Sequence, residues 1–154
     1  MKICIIFLVL LIFGANNTAY SNNIIVESDF LEIRDNERKS VFIGNVYAQD
    51  DRLEVWSQEM VLQFFDESNK IKQIYANDNV KVFDGEITAT SEEATYDVTN
   101  KIVKMTGNIH VKEGDNIVTC DELILDLEKS TSIMKSNSLN KVKARILNNN
   151  LVLE

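Results

Sequence analysis

Three observations predict an all-β fold of stacked antiparallel hairpins. A register of about 30 residues recurs three times without a gap, the mark of an architecture whose units bury their apolar faces only against one another. Within each copy, apolar side chains return at every second position, which is the half-buried strand pattern. Turns rich in Asp, Asn and Gly separate these runs, and the chain contains no proline.

The chain opens with Met1-Lys2, the apolar run Ile3–Ala15 and then Ala19-Tyr20-Ser21. One positive charge, a short apolar core and small residues before a cut are the grammar of a secretory signal, so residues 1–21 read as a leader cleaved after Ser21. The run falls short of the roughly 20 residues that span a bilayer, although a retained anchor is the alternative. Residues 22–154 then form a single domain, and the short, Ile- and Phe-rich leader points to the periplasm of a Gram-negative bacterium.

Ser28-Asp29-Phe30-Leu31-Glu32-Ile33 fits half of the repeat and reads as an N-terminal cap. The three full copies follow at Asn45–Phe64, Asn79–Val98 and Asn108–Leu127. Aligning Asn45, Asn79 and Asn108 puts Val46, Val80 and Ile109 in one column, and Glu59, Glu93 and Glu122 in another. Arg52–Phe65 alone could pass for an amphipathic helix. Its counterpart Glu86–Val98 is Thr-rich and a poor helix former, so the repeat decides for strand. Tight turns are expected at Asp50-Asp51 and at Asp84-Gly85 and Glu113-Gly114-Asp115, in the last two of which glycine permits positive φ. Opposite turns are expected at Asp35–Glu37, Asp66–Asn69, Thr99-Asn100 and Glu128–Ser130.

Face parity switches near Ser57–Glu59, Ser91–Glu93 and Cys120–Glu122, so the strands must bend or bulge there. Short strands bent at that line suit either an open, V-shaped β-jellyroll or a flat solenoid. The first strand (24–33) and the last (140–153) carry no proline to blunt them and could accept a further strand. Lys135, Lys141, Lys143 and Arg145 in the tail read as charge that keeps such an edge soluble, with phosphate contact as the alternative.

Little catalytic chemistry is visible. His110 stands in an outward column with Tyr47 and Lys81, and after leader removal Cys120 is the only cysteine. One histidine and one cysteine in unrelated columns make neither a zinc site nor a nucleophile–base pair. A carboxylate copied into every repeat has a structural role rather than a hydrolytic one. The Asp-rich turns lack calcium-loop spacing. No enzyme and no cofactor are expected. The formal charge of −8 makes nucleic acid an improbable partner, since no basic stripe could displace phosphate counterions.

Glu27-Ser28-Asp29, Phe42-Ile43-Gly44-Asn45-Val46 and Met105-Thr106-Gly107-Asn108-Ile109 resemble the OstA-like family of lipopolysaccharide export, the last two being similar to its "TGNV" strand. The resemblance spans roughly 24–127. Asp78-Asn79 departs from its Gly-Asn pair, and the tail after Ser130 matches poorly. What it implies is an open β-jellyroll whose inner face shelters the lipid A acyl chains of lipopolysaccharide (LPS), in a periplasmic bridge from the inner to the outer membrane. It also implies head-to-tail self-association, an inner-membrane LptC-like protein and an outer-membrane LptD-like barrel complex. Candidate inner-face lipid-binding residues are Phe42, Val46, Val55, Met60, Leu62, Phe64, Val80, Val82, Ile87, Tyr96, Val98, Met105, Ile109, Val111, Leu123 and Leu125. Two alternatives stand beside this reading. One is a membrane-anchored LptC-like component, and the other a structural β-solenoid surface protein without lipid cargo.

Overall fold

The structure, a computed structural model, describes residues 24–49 and 53–147. The leader, the Asp50-Asp51 turn and the last residues of the tail lie outside that range. Among the described residues ten strands form one antiparallel sheet: β1 (Ile25–Glu27), β2 (Phe30–Arg34), β3 (Lys39–Gln49), β4 (Glu54–Phe64), β5 (Ile71–Phe83), β6 (Ile87–Asp97), β7 (Ile102–Glu113), β8 (Asn116–Asp126), β9 (Thr131–Lys135) and β10 (Lys143–Arg145). From β2 to β9, neighbours in sequence are neighbours in the sheet. β1 and β2 lie end to end along β3, and β9 and β10 end to end along β8.

The six central strands are longer than the short pieces that the repeat suggests, because each passes through the parity switch without ending. The ladder slips between Ile43 and Val46 of β3, between Asn77 and Val80 of β5, and between Thr106 and Ile109 of β7, then resumes. At each slip two consecutive residues are left-handed: Gly44-Asn45, Asp78-Asn79 and Gly107-Asn108. Asp78 takes φ 61°, so the departure from Gly-Asn in the second copy preserves the bulge. Aspartate tolerates that region better than most side chains.

The facing strands bend with a different device. The Ser57 hydroxyl donates to the Glu59 carbonyl at 3.0 Å, and the Ser91 hydroxyl to the Glu93 carbonyl at 2.9 Å. The Ser28 hydroxyl donates to the Phe30 carbonyl at 2.9 Å in the same way. Thus residues 25–34 are a fourth copy of the bent half-unit, split into β1 and β2 at the Ser28 corner. Acidic side chains then cover the bulges: the Asn45 amide donates to Asp29 at 2.7 Å, and the Asn108 amide donates to Glu92. At the other edge the seven residues from Ser136 to Val142 replace the two-residue bulge. Their Asn137 N–H donates to Asp121 at 2.9 Å, which keeps the partner while lengthening the loop.

A continuous line of bulges folds the sheet into a V. Val46, Val80 and Ile109 lie in its crease, and all are essentially inaccessible. Ser57, Ser91 and Cys120 are buried between them, where only small side chains fit. Burial pushes the Cys120 thiol pKa up, so this is an inert packing residue. The glutamate column lies on the outer side of the bend. Asn77 donates to Glu59 at 3.0 Å, while Glu122 binds Lys104 at 3.0 Å and Lys135 at 3.3 Å.

Lys104 and then Lys135 hold the Glu122 carboxyl below its ordinary pKa. A depressed carboxylate contributes stability that is present above the unfolded pKa and is lost as pH falls through the folded one. Since Lys135 belongs to β9, acid should loosen this edge. Amide-exchange protection in β9 is expected to fall relative to β5 and β6 as pH is lowered from 7 into the acid range, and Glu122→Gln should show the loosened edge already at neutral pH. Equal protection in the variant and the wild type at pH 7 would refute the assignment.

Candidate functional site

Cross-strand pairing arranges the inner face into rows that run unbroken from edge to edge. On one wing the row is Val26, Ala48, Val55, Val82, Ala89, Val111, Val118 and Ala144. On the other it is Leu31, Phe42, Met60, Ala76, Ala94, Met105, Leu123 and Met134. The two wings face each other across an apolar groove whose cavity measures about 200 Å³. Its walls also draw in Leu62, Ile74, Tyr96, Val103 and Leu125.

Most of the residues picked out by alternation stand on these walls: Val55, Met60, Leu62, Val82, Ile87, Tyr96, Met105, Val111, Leu123 and Leu125. Others do not. Val46, Val80 and Ile109 form the packed bottom of the crease, with Ile109 at 0% exposure, and have no surface to offer a ligand. Phe42 and Phe64 pack against the N-terminal core cluster without bordering the cavity. Val98 sits in the turn after β6, its N–H donating to the Lys72 carbonyl at 3.1 Å. Alternation assigns a face; depth within that face depends on distance from the crease. The residues missed are the small ones, Ala48, Ala76, Ala89 and Ala94, and the early halves of β5 and β7 (Ile74, Val103). The column alignment could have found Ile74 and Val103, had it been extended upstream of Asn79 and Asn108.

The groove is closed on each side by a line of turns, its two lips, and the polar residues on its walls, among them Gln49, Thr95, Thr131 and Ser132, stand toward the strand ends. The first lip is made of the turns at 35–38, 65–70, 98–101 and 127–130, and the second of those at 84–86 and 114–115. In the first lip Asp97 accepts the Asn100 N–H at 2.9 Å, and the Asn100 contacts hold its carboxyl pKa down. Asp126 takes both the N–H and the ammonium of Lys129, at 2.9 and 2.7 Å, and its pKa is likewise lowered. Burial pushes the Tyr96 phenol up. His110 projects from the outer surface between Thr90 and Thr119, as its column implies. Among the described residues no three metal-binding side chains converge.

A single bent antiparallel sheet around an apolar groove defines the class: an open, one-sheet β-jellyroll. The particular family follows from residues 25–131, which match the family described as LptA/(LptD N-terminal domain) LPS transport protein. The chain belongs to that family. Among solved structures it is similar to LptH of Pseudomonas aeruginosa, the LptA-homologous periplasmic component of the lipopolysaccharide transport device. The TM-score is 0.70 at 13% identity, over 82% of this chain and 96% of that one, a likeness of fold. No curated protein matches the chain.

Proposed function

We propose that the chain is a periplasmic bridge that carries LPS from the inner to the outer membrane, with the acyl chains lying in the groove. The observation that carries this reading is the pair of inner rows, apolar from β1 or β2 at one edge to β9 or β10 at the other. Each acyl methylene left in water costs on the order of 0.8 kcal/mol, so passage through an aqueous compartment needs a shelter without gaps. The proposed leader, residues 1–21, delivers the domain to that compartment. Family membership supports LPS as cargo.

A bridge longer than one domain follows from the edges. Leu31 and Ile33, on the groove face of β2, are 47% and 65% exposed where the row ends without a neighbour. Continuing the ladder head to tail sets Met134 of one copy beside Leu31 of the next, and Lys143 opposite Glu27. The apolar row and a charge pair are then both completed. The same edges would receive an LptC-like protein at the inner membrane and an LptD-like barrel complex at the outer. A cavity of about 200 Å³ is below the roughly 300–1,000 Å³ of typical small-molecule sites, so a lipid with several chains loads by parting the lips about the crease.

Photo-crosslinkers at Leu62, Tyr96 and Leu125 should capture LPS in living cells, and one at Lys81 on the outer face should not. Adducts confined to Lys81 would reject the groove as the route.

A further inference from the structure

The two lips of the groove differ in chemistry. Every turn of the first lip contains a cation near its end: Arg38, Lys70, Lys101 and Lys129. The described turns of the second lip contain none; they carry Asp84, Glu86 and Asp115. Asp84 accepts the N–H groups of Glu86 and Ile87 at 3.0 and 2.8 Å, which ties its carboxylate into the turn.

The four cations are not equivalent. Arg38 is consumed by the fold, since its guanidinium donates to the carbonyls of Phe65 at 3.1 Å and Ser68 at 2.7 Å. Lys129 is paired with Asp126. Lys70 and Lys101 are exposed, and neither makes a salt bridge among the described residues. They belong to the two central turns, β4–β5 and β6–β7, which are two strands and therefore about 10 Å apart. These turns flank the part of the floor where Ala76 of β5 pairs with Ala94 of β6, so that the walls are thinnest there.

Given the transport reading above, we infer that the lipid lies across the groove in one sense only, its phosphorylated head over the first lip at Lys70 and Lys101 and away from the carboxylates of the second. Acyl chains seated on Ala76 and Ala94 place the head at one lip or the other, because the cavity is bordered by Asp84 on the second lip and by Leu127 and Ser130 on the first, which the Lys70 and Lys101 turns continue. At the first lip the phosphates meet two unpaired ammonium groups. At the second they meet fixed negative charge, which the overall charge of −8 does nothing to relieve. The first lip carries carboxylates of its own, Asp66 and Glu67 in the Lys70 turn among them, so what distinguishes it is the presence of free ammonium donors and not net charge, and the preference must weaken with salt.

Binding of LPS and of the same LPS stripped enzymatically of its phosphates tests this. The pair Lys70→Glu and Lys101→Glu should lower affinity for intact LPS about tenfold and leave the stripped lipid unchanged. Asp84→Asn with Glu86→Gln should not weaken binding of either. A nitroxide at Thr99→Cys should broaden the phosphorus resonances of bound LPS more than one at Asp115→Cys. Unchanged affinity for intact LPS in the lysine variants, or the reverse order of broadening, would overturn the head placement while leaving groove transport standing. Wild-type protein that bound neither lipid would remove the transport reading and this one with it.

Discussion

Gly107→Ala is expected to destabilise the protein by about 3 kcal/mol, and Gly114→Ala by only about 1 kcal/mol, although both glycines have positive φ. Gly114, at φ +56°, turns the β7–β8 hairpin with nothing within 4 Å of where a Cβ would stand, so alanine meets only the backbone cost of the left-handed region. Gly107, at φ +83°, sits in the bulge beneath Glu92. A Cβ there would come within 2.7 Å of the Glu92 Cβ and 2.5 Å of its carboxylate. The carboxylate can swing away, but the Glu92 Cβ is fixed to β6, so the two strands must separate. That separation also disturbs the contact of Asn108 with Glu92 and the register of β7 against β6 and β8. Because a domain of this size is stable by roughly 5–15 kcal/mol, the loss is a large share of the total. Urea midpoints for the two variants check it. Equal shifts would mean that the bulge is soft and that the acid cover over it has no structural role.

The all-β class, the hairpin order and the line of the bend were legible because each rests on local rules that the repeat applies several times. Period-two alternation fixes a strand, and the parity switch at Ser57–Glu59, Ser91–Glu93 and Cys120–Glu122 fixes where it must bend. What stayed hidden is what depends on two strands at once. Nothing local to Asp78-Asn79 says that it substitutes for Gly44-Asn45, since the shared feature is a backbone conformation and not a side chain. Ser28–Ile33 could be read as half a repeat, but its sequence does not show that the Ser28 hydroxyl bonds the Phe30 carbonyl as Ser57 bonds that of Glu59. The division between crease and wall was also out of reach. Val46 and Val55 obey the same alternation, and only the folding angle of the sheet buries one and leaves the other at the groove. Alanines were passed over because hydrophobic patterning weighs a residue by its bulk, whereas a groove is made where bulk is missing.

For that reason the most damaging single change for lipid binding is expected at an alanine. Ala94→Trp should lower LPS affinity about thirtyfold while costing little stability. Ala94 is only partly buried and packs against both core clusters, with Ala76 as its cross-strand partner in β5 and Met105 in β7. A tryptophan there points into the cavity, where about 200 Å³ is all the room between the wings. It cannot be absorbed by the floor, because Ala76 is itself buried against β4 and β6. The indole takes the place of acyl methylenes; displacing two or three of them at about 0.8 kcal/mol each amounts to roughly 2 kcal/mol, or about thirtyfold in affinity. The apolar ring remains in apolar surroundings, so folding should be spared and the thermal midpoint should move by only a few degrees. Ala94→Ser is the control, changing polarity without bulk, and should bind LPS within about threefold of wild type. Should Ala94→Trp keep full affinity with its indole fluorescence unshifted by LPS, the acyl chains do not lie on the β5–β6 floor.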